Sequence, residues 1–569
     1  MILLLLFIAI ATYYLYHWTF WKRRGMPGPW GIPVFGHSGT MLEDRIAPPL
    51  VIQQWTKKYG KVFGFTEGMQ KVMVISDPDM VQEVFVKQYD NFFGRKLNPI
   101  QGDPDKDKDV PIVGAQGFRW KRLRTISAPA FSNNSIKKVL ASIEDSNQEF
   151  LRHLEEKGAN GKAVNMHLFF QEYTMDVIMR IAMGQQGSKM FNNPLLYDCK
   201  GTPRLPDSQT PRLRNSETPR LRNSETPRLR DSETPRLRDS EIPRLRDSEL
   251  QPKLESLQFF ENNRWPIWMF SGAFPFAVKG LKYLFLKLGK FGAGPFIRVQ
   301  KVITDSVMER IAQREADRKH GVEPGEPQDF IDLFLDAKAD DVEHFGETNE
   351  EFHKSTIYNN RKLTTQEIIS QCFIFVVAGF DTTAISLSYV AYFLSLNPRV
   401  QKKLQEEVDR ECPDADISFD QLSKLKYMEN TIKEALRVFP MAAFANSRRC
   451  MRTTKIGEQV VEAGVDILVD TWTLHHDKKV WGEDADEFRP ERWEAPLNAH
   501  QAFMSFGAGP RQCLGMRLAY LEQKSLLAHV LRKYSFVAGM ATEVPMKLVG
   551  RATSRPKSLM LSVEPRNGF

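Results

Sequence analysis

One of the five cysteines in this 569-residue chain stands in a frame suited to a large flat ligand. Phe506-Gly507-Ala508-Gly509-Pro510-Arg511-Gln512-Cys513-Leu514-Gly515 leads into a helical stretch from Met516 to about Tyr534. Glycines on either side of Cys513 leave backbone that a planar object can approach closely. The mouth of the following helix offers free N–H groups and a positive dipole end, which favour a thiolate. A thiolate so framed is a good axial ligand for haem iron and favours O–O cleavage. Arg511 can give a haem propionate a charge-assisted hydrogen bond. Cys199, Cys372, Cys412 and Cys450 are scattered and form no CxxC, which argues against a disulfide scaffold or a structural zinc site.

Four further pieces carry chemistry at helical spacing. Ala378-Gly379-Phe380-Asp381-Thr382-Thr383 interrupts the apolar run Ile368–Val377. Gly and adjacent Thr weaken regular helical bonding, so a local opening is expected there, with Thr back-bonding to a carbonyl as the simpler alternative. Glu434 and Arg437 lie three apart, on one face of the helix ending before Pro440. Phe488-Arg489-Pro490-Glu491-Arg492-Trp493 follows. Upstream, Trp120 and Arg124 share a helical face in Trp120-Lys121-Arg122-Leu123-Arg124. The adjacent pair His475-His476 is given no role.

The stretch Phe506–Gly515 resembles the cysteine-loop signature of cytochrome P-450 enzymes, and the resemblance runs from the amino-terminal apolar segment to about Val563. It is similar to animal microsomal members that oxidise drugs and steroids. The resemblance implies haem b (iron protoporphyrin IX) with Cys513 as the axial iron ligand. Phe506, Gly507 and Gly515 would frame it, and Arg511, Trp120, Arg124 and Arg448 would hold the propionates, with Arg449 leaving the register of Arg448 open. Thr382 would hydrogen-bond iron-bound dioxygen and its water, and Asp381 would pass protons inward. Glu434, Arg437 and Arg492 would form a buried structural network, with Trp493 where the family usually has Phe. Val113, Phe375, Ala378, Thr383, Ala442 and Phe444 are the candidate substrate pocket.

These groups need a scaffold, and the patterning expects a mainly α fold with a small β-sheet region. Lys61–Phe65 and Lys71–Ile75 read as a hairpin around a Glu-Gly turn. Asp77-Pro78 starts a helix, and amphipathic stretches lie near 135–157, 297–318, 364–395, 398–411 and 422–438. Composition is ordinary for a globular chain, 42% hydrophobic and 26% charged. Its 78 Lys+Arg and 70 Asp+Glu are interspersed, a net charge of +8 without the basic stripe of a nucleic-acid binder.

Residues 1–21 read as a transmembrane signal anchor, since about 20 apolar residues cross a bilayer as a helix. Lys22, Arg23 and Arg24 follow it, with neither a basic stretch before it nor a cleavage site after it, so the body should face the cytosol. A basic, proline-rich hinge over 22–33 and a monooxygenase domain over 34–569 complete the expected organisation. The resemblance implies a single-pass location in the endoplasmic reticulum membrane. Within the body, residues 202–249 repeat Thr-Pro-Arg-Leu-Arg-Asp/Asn-Ser-Glu in octads, read as a disordered insertion in preference to a binding array. The aromatic-rich stretch Arg264–Leu288 reads as a membrane-dipping rim around an entrance for lipophilic substrate, in preference to plain core.

The chain has no flavin or nicotinamide motif, so a separate NADPH-cytochrome P-450 reductase must supply electrons, with cytochrome b5 a further candidate donor. Lys121, Arg122, Lys137 and Lys138 are the basic candidates for that docking face. The expected activity is insertion of one oxygen atom from dioxygen into a lipophilic organic molecule. A peroxide-rearranging haem-thiolate enzyme has no use for Asp381-Thr382. The intact set Cys513, Thr382, Glu434, Arg437 and Arg492 argues against a haem sensor or inactive scaffold, a reading that the repeat insertion keeps open.

Overall fold

The apolar run after Leu363 folds as one 32-residue helix, Thr365–Leu396. This is seen in a computed structural model that describes residues 1–42, 47–96, 104, 107, 109–158, 161–193, 273–274, 294–322, 325–337, 363–494, 501–550 and 553–566. The Thr364 side chain accepts from the Glu367 N–H and the Glu367 side chain reaches back, a reciprocal cap that starts the helix. Asn397-Pro398 ends it, because proline cannot continue its bonding. The long helix is apolar enough to cross a membrane, yet most of it is buried inside the body. It packs against Met166–Met183 and against the carboxyl-terminal helix Met516–Lys533 in the principal core.

The protein is mostly helical with small sheets, as the patterning expects. Val62–Glu67 and Gln70–Ile75 form the antiparallel hairpin. Gln70–Ile75 then pairs in parallel with Asp466–Val469, which pairs antiparallel with Ser447–Arg449. A second sheet joins Val164–Asn165, Met560–Pro565 and Tyr534–Ala538. The octads 202–249 lie outside the described residues, as does the aromatic stretch 264–288 apart from Ala273 and Phe274.

The amino-terminal helix spans Ile2–Trp18 with no buried residue. At 17 residues it is about 26 Å long. The segment that follows packs onto the body. Lys22–Arg24 forms a 3-10 turn, and Phe20, Trp21 and Met26 are buried in a core cluster with Met73, Ile75 and Ile467. Burying the two aromatic rings contributes roughly 1.5–3 kcal/mol per large side chain.

Candidate functional site

The cysteine loop is closed by its own backbone. The Cys513 N–H donates to the Phe506 carbonyl at 2.8 Å, and the Gly507 N–H to the Met504 carbonyl at 3.0 Å. Gly507 and Gly509 take left-handed backbone (φ 71° and 66°), and Gly509–Arg511 makes a 3-10 turn. Cys372, Cys412 and Cys450 are buried, whereas Cys513 is exposed and lines a cavity of about 310 Å³. Desolvation by the surrounding protein pushes the Cys513 thiol up, against the pull of the Gly515 and Met516 N–H groups and the Arg124 and Arg95 guanidiniums.

Arg95, Arg124, Arg448 and Arg511 all line this cavity. Arg124 donates to the Gln512 carbonyl at 2.9 Å and Arg511 to the Ala115 carbonyl at 2.7 Å, while Arg511 lies 4.5 Å from the Trp120 ring centre. Arg448 donates to the Ser447 carbonyl at 2.8 Å, and Arg95 to the Ala445 carbonyl at 2.8 Å. The Nε atoms of Arg95, Arg448 and Arg511 are buried without a hydrogen-bond partner. Burial, with Arg95 close by, lowers Arg511 to about 9, and burial lowers Arg95 to about 10. The uncertain register is decided by strand alternation. Arg448 faces the cavity, whereas Arg449 pairs with Asp466 at 2.8 and 3.0 Å.

Trp120, Phe506, Gly507, Gly515, Val113, Phe375, Ala378, Thr382, Thr383 and Ala442 also line the cavity. Phe375 stands among the rings of Phe131, Phe330 and Phe334, and the first two of these extend the apolar wall. Phe444 is a correction. It packs instead against the cluster of Phe63, Phe65, Val72 and Leu468. The 3-10 turn Ala443–Ala445 is the reason: threefold spacing turns Ala442 and Ala445 inward and Phe444 away.

The long helix runs unbroken through Ala378–Thr383, so the expected opening is absent. The Thr382 hydroxyl donates to the Ala378 carbonyl at 2.7 Å. Gly379 serves packing: a Cβ there would come within 2.7 Å of Ile178 on the neighbouring helix. Asp381 does not line the cavity. One step around the helix from Thr382, its carboxylate accepts from Thr553 at 3.0 Å and Gln171 at 3.5 Å. Arg122 is corrected as a docking residue, because it is buried in an ion pair with Glu367. Lys138 pairs with Glu326 at 2.5 Å, and Lys137 reaches Asp420 at 3.8 Å.

Behind the loop, Glu434, Arg437 and Arg492 are buried together. Arg437 meets Glu434 through two bonds of 2.9 Å and donates to the carbonyls of His475, Ala485 and Glu487. Arg492 reaches Glu434 at 3.2 Å and Asp484 at 2.8 Å. The Trp493 indole donates to Glu434 at 2.9 Å, a bond that phenylalanine could not make.

Two residues had no role assigned from the sequence. Arg95 has no motif around it, and reaches the cavity because the Arg449 N–H bonds to the Gly94 carbonyl at 3.0 Å. His475 is fully buried. Its Nε2 accepts from the Met504 N–H at 2.9 Å, so Nδ1 carries the proton donated to the Arg437 carbonyl at 3.1 Å. Burial holds it well below the usual histidine range, as a neutral link between Arg437 and the cysteine loop.

A family profile described as Cytochrome P-450 matches residues 26–197 and 269–563. Proteins of Caenorhabditis elegans bearing cytochrome P-450 names are also similar. CYP13A8 is 65% identical over 566 residues, covering all of both chains. CYP13A1 and CYP13A10 are each 50% identical, covering 99% of this chain and 98% of the relative. With a thiol, four arginines and an apolar wall around one cavity, and with these matches over most of its length, the chain belongs to the cytochrome P-450 family of haem-iron monooxygenases.

Proposed function

We propose that this protein is a membrane-anchored monooxygenase that oxygenates lipophilic molecules at haem b, with electrons from NADPH through a separate reductase. The observation that carries the assignment of the site is that Arg95, Arg448 and Arg511 line the same cavity as Cys513 while their buried Nε atoms find no hydrogen-bond partner. Buried cations without counter-charge are costly, and the two propionates of one porphyrin match them. Cys513 would be the thiolate ligand, the iron overcoming the upward push of burial on its thiol. When bound, thiolate-ligated haem supplies dioxygen activation and oxygen insertion.

The chain's own residues would do the rest. Arg95, Arg124, Arg448 and Arg511 bind and orient the propionates, and Trp120 lies under Arg511. Phe375, Val113, Ala378, Thr383 and Ala442, with Phe131 and Phe330, exclude water and hold an apolar substrate. The Thr382 hydroxyl gives its proton to the Ala378 carbonyl and offers its lone pairs to the cavity. Rotation about its side-chain bond would redirect that proton inward. Asp381, held by Thr553 and Gln171, is the nearest carboxylate in sequence to resupply it. The remaining elements of the proposal are the anchor over residues 1–21, the catalytic domain from residue 34, the octads as a surface insertion, cytochrome b5 as a second electron donor, and residence in the endoplasmic reticulum membrane.

Cys513→His tests the reading. The variant should retain haem but lose the strongly red-shifted reduced carbonyl band and NADPH-driven turnover with reductase. A variant that kept the band would remove Cys513 from the iron.

A further inference from the structure

We propose that the amino-terminal helix and the catalytic body form one rigid unit, so that a bilayer gripping the helix sets the tilt of the cavity above it. This rests on the reading of Ile2–Trp18 as a membrane anchor and goes beyond it, because an anchor by itself requires only a tether.

The helix is attached at three levels. Along its length, the Tyr14 hydroxyl donates to the Ala273 carbonyl at 3.1 Å, and the Phe274 ring lies 6.1 Å from Tyr14 and 6.3 Å from Phe35. At its end, the Trp18 indole donates to the Gly31 carbonyl at 2.7 Å and its ring lies 5.1 Å from Trp30. Beyond its end, hydrogen bonding continues without a joint, from the N–H groups of Thr19, Phe20 and Arg23 to the carbonyls of Leu15, His17 and Thr19.

Phe20 and Trp21 then enter the core at 1% and 7% exposure. The Trp21 indole donates to the Phe65 carbonyl at 2.8 Å. Its ring lies over Gly64, where any Cβ would stand 2.2 Å from the ring. The Gly64 N–H donates in turn to the Pro27 carbonyl at 2.9 Å. Lys71 and Arg24 lie 4.1 and 3.6 Å from the Phe20 ring centre, and Arg24 is paired with Glu462.

This seat is built on the hairpin, and the hairpin leads to the site. Gln70–Ile75 pairs with Asp466–Val469, which pairs with Ser447–Arg449, the strand that turns Arg448 into the cavity. Paired strands transmit orientation because sliding one past another breaks several hydrogen bonds at once. The occupant of the helix is a bilayer with anionic headgroups. Lys22, Arg23 and Arg24 follow the apolar run directly, and the exposed Trp30 and Ile32 lie on the same segment.

The experiment uses the full-length, haem-loaded protein in oriented bilayers of phosphatidylcholine and phosphatidylserine. Electron paramagnetic resonance of the ferric haem should show one orientation with a narrow spread. Trp21→Ala and Gly64→Val should widen that spread at least about twofold while retaining the reduced carbonyl band. In detergent, trypsin should cut at Lys22–Arg24 at least about tenfold faster in Trp21→Ala than in the parent, a comparison that stands even if Gly64→Val fails to fold. A parent that floats with vesicles but is cut as fast as Trp21→Ala, or is as broadly oriented, overturns the rigid unit alone. A parent that does not float overturns the anchor reading and the proposal with it.

Discussion

Arg437 and Arg492 are as deeply buried as Arg448 and Arg511, yet the two pairs are partnered in opposite ways. Every guanidinium nitrogen of Arg437 and Arg492 has an acceptor, and Glu434 receives five donors in all. Burial works against the charge on Arg492, but the bonds it donates to Asp484 and Glu434 hold it above its usual range. Around the cavity no carboxylate among the described residues pairs with Arg448 or Arg511, and burial pushes both down. A fully partnered cluster contributes to folding, whereas a partly partnered one is arranged for an anion that arrives afterwards.

Glu434→Ala should have the largest effect, because it strips the shared carboxylate from two buried guanidiniums. Loss of about 3–5 kcal/mol is expected, enough to abolish haem-loaded protein. Urea unfolding and the reduced carbonyl spectrum per milligram would measure it. A parent-like midpoint would break the contrast between the clusters.

Arg511→Leu should divide by ligand state. The haem-free protein should unfold at the same or higher urea than its parent, since an uncompensated buried charge is gone. Haem affinity should fall by about tenfold to a hundredfold, the worth of a charge-assisted hydrogen bond of roughly 1.5–3 kcal/mol. If the haem-free variant lost as much stability as Glu434→Ala, the cavity arginines would be structural after all.

Trp493→Phe should have the smallest effect and sharpens the account of the partnered cluster. It removes the indole donor and leaves Glu434 four others, so about 1 kcal/mol should be lost with the haem spectrum unchanged. An unmoved urea midpoint would show that the fifth donor is redundant.

Much of the site was legible because its geometry is local. Glu434 and Arg437 meet across one helical turn, and the cysteine loop closes through a bond between Phe506 and Cys513. The hairpin likewise declared itself through alternation around a tight turn. What could not be read was which face of each element meets which partner. His475 gave no signal, because its role depends on Met504 arriving from a distant loop. Asp381 and Thr382 are neighbours in sequence, yet the packing of Met166–Met183 and the approach of Thr553 turn them to different surroundings.

The sequence by itself determined the mostly helical scaffold, the cysteine loop, the helical glutamate–arginine pair and the apolar amino-terminal run. Those features depend on backbone periodicity and on residues close enough to touch whatever the rest of the chain does. Tertiary structure alone decided the remainder. It brought Arg95 to the cavity through Gly94, chose Arg448 over Arg449, sent Phe444 into another core and seated Trp21 on the hairpin. Arg492 reaches Glu434 across 58 residues of chain. Burial depends on which elements pair, and no local pattern specifies that pairing.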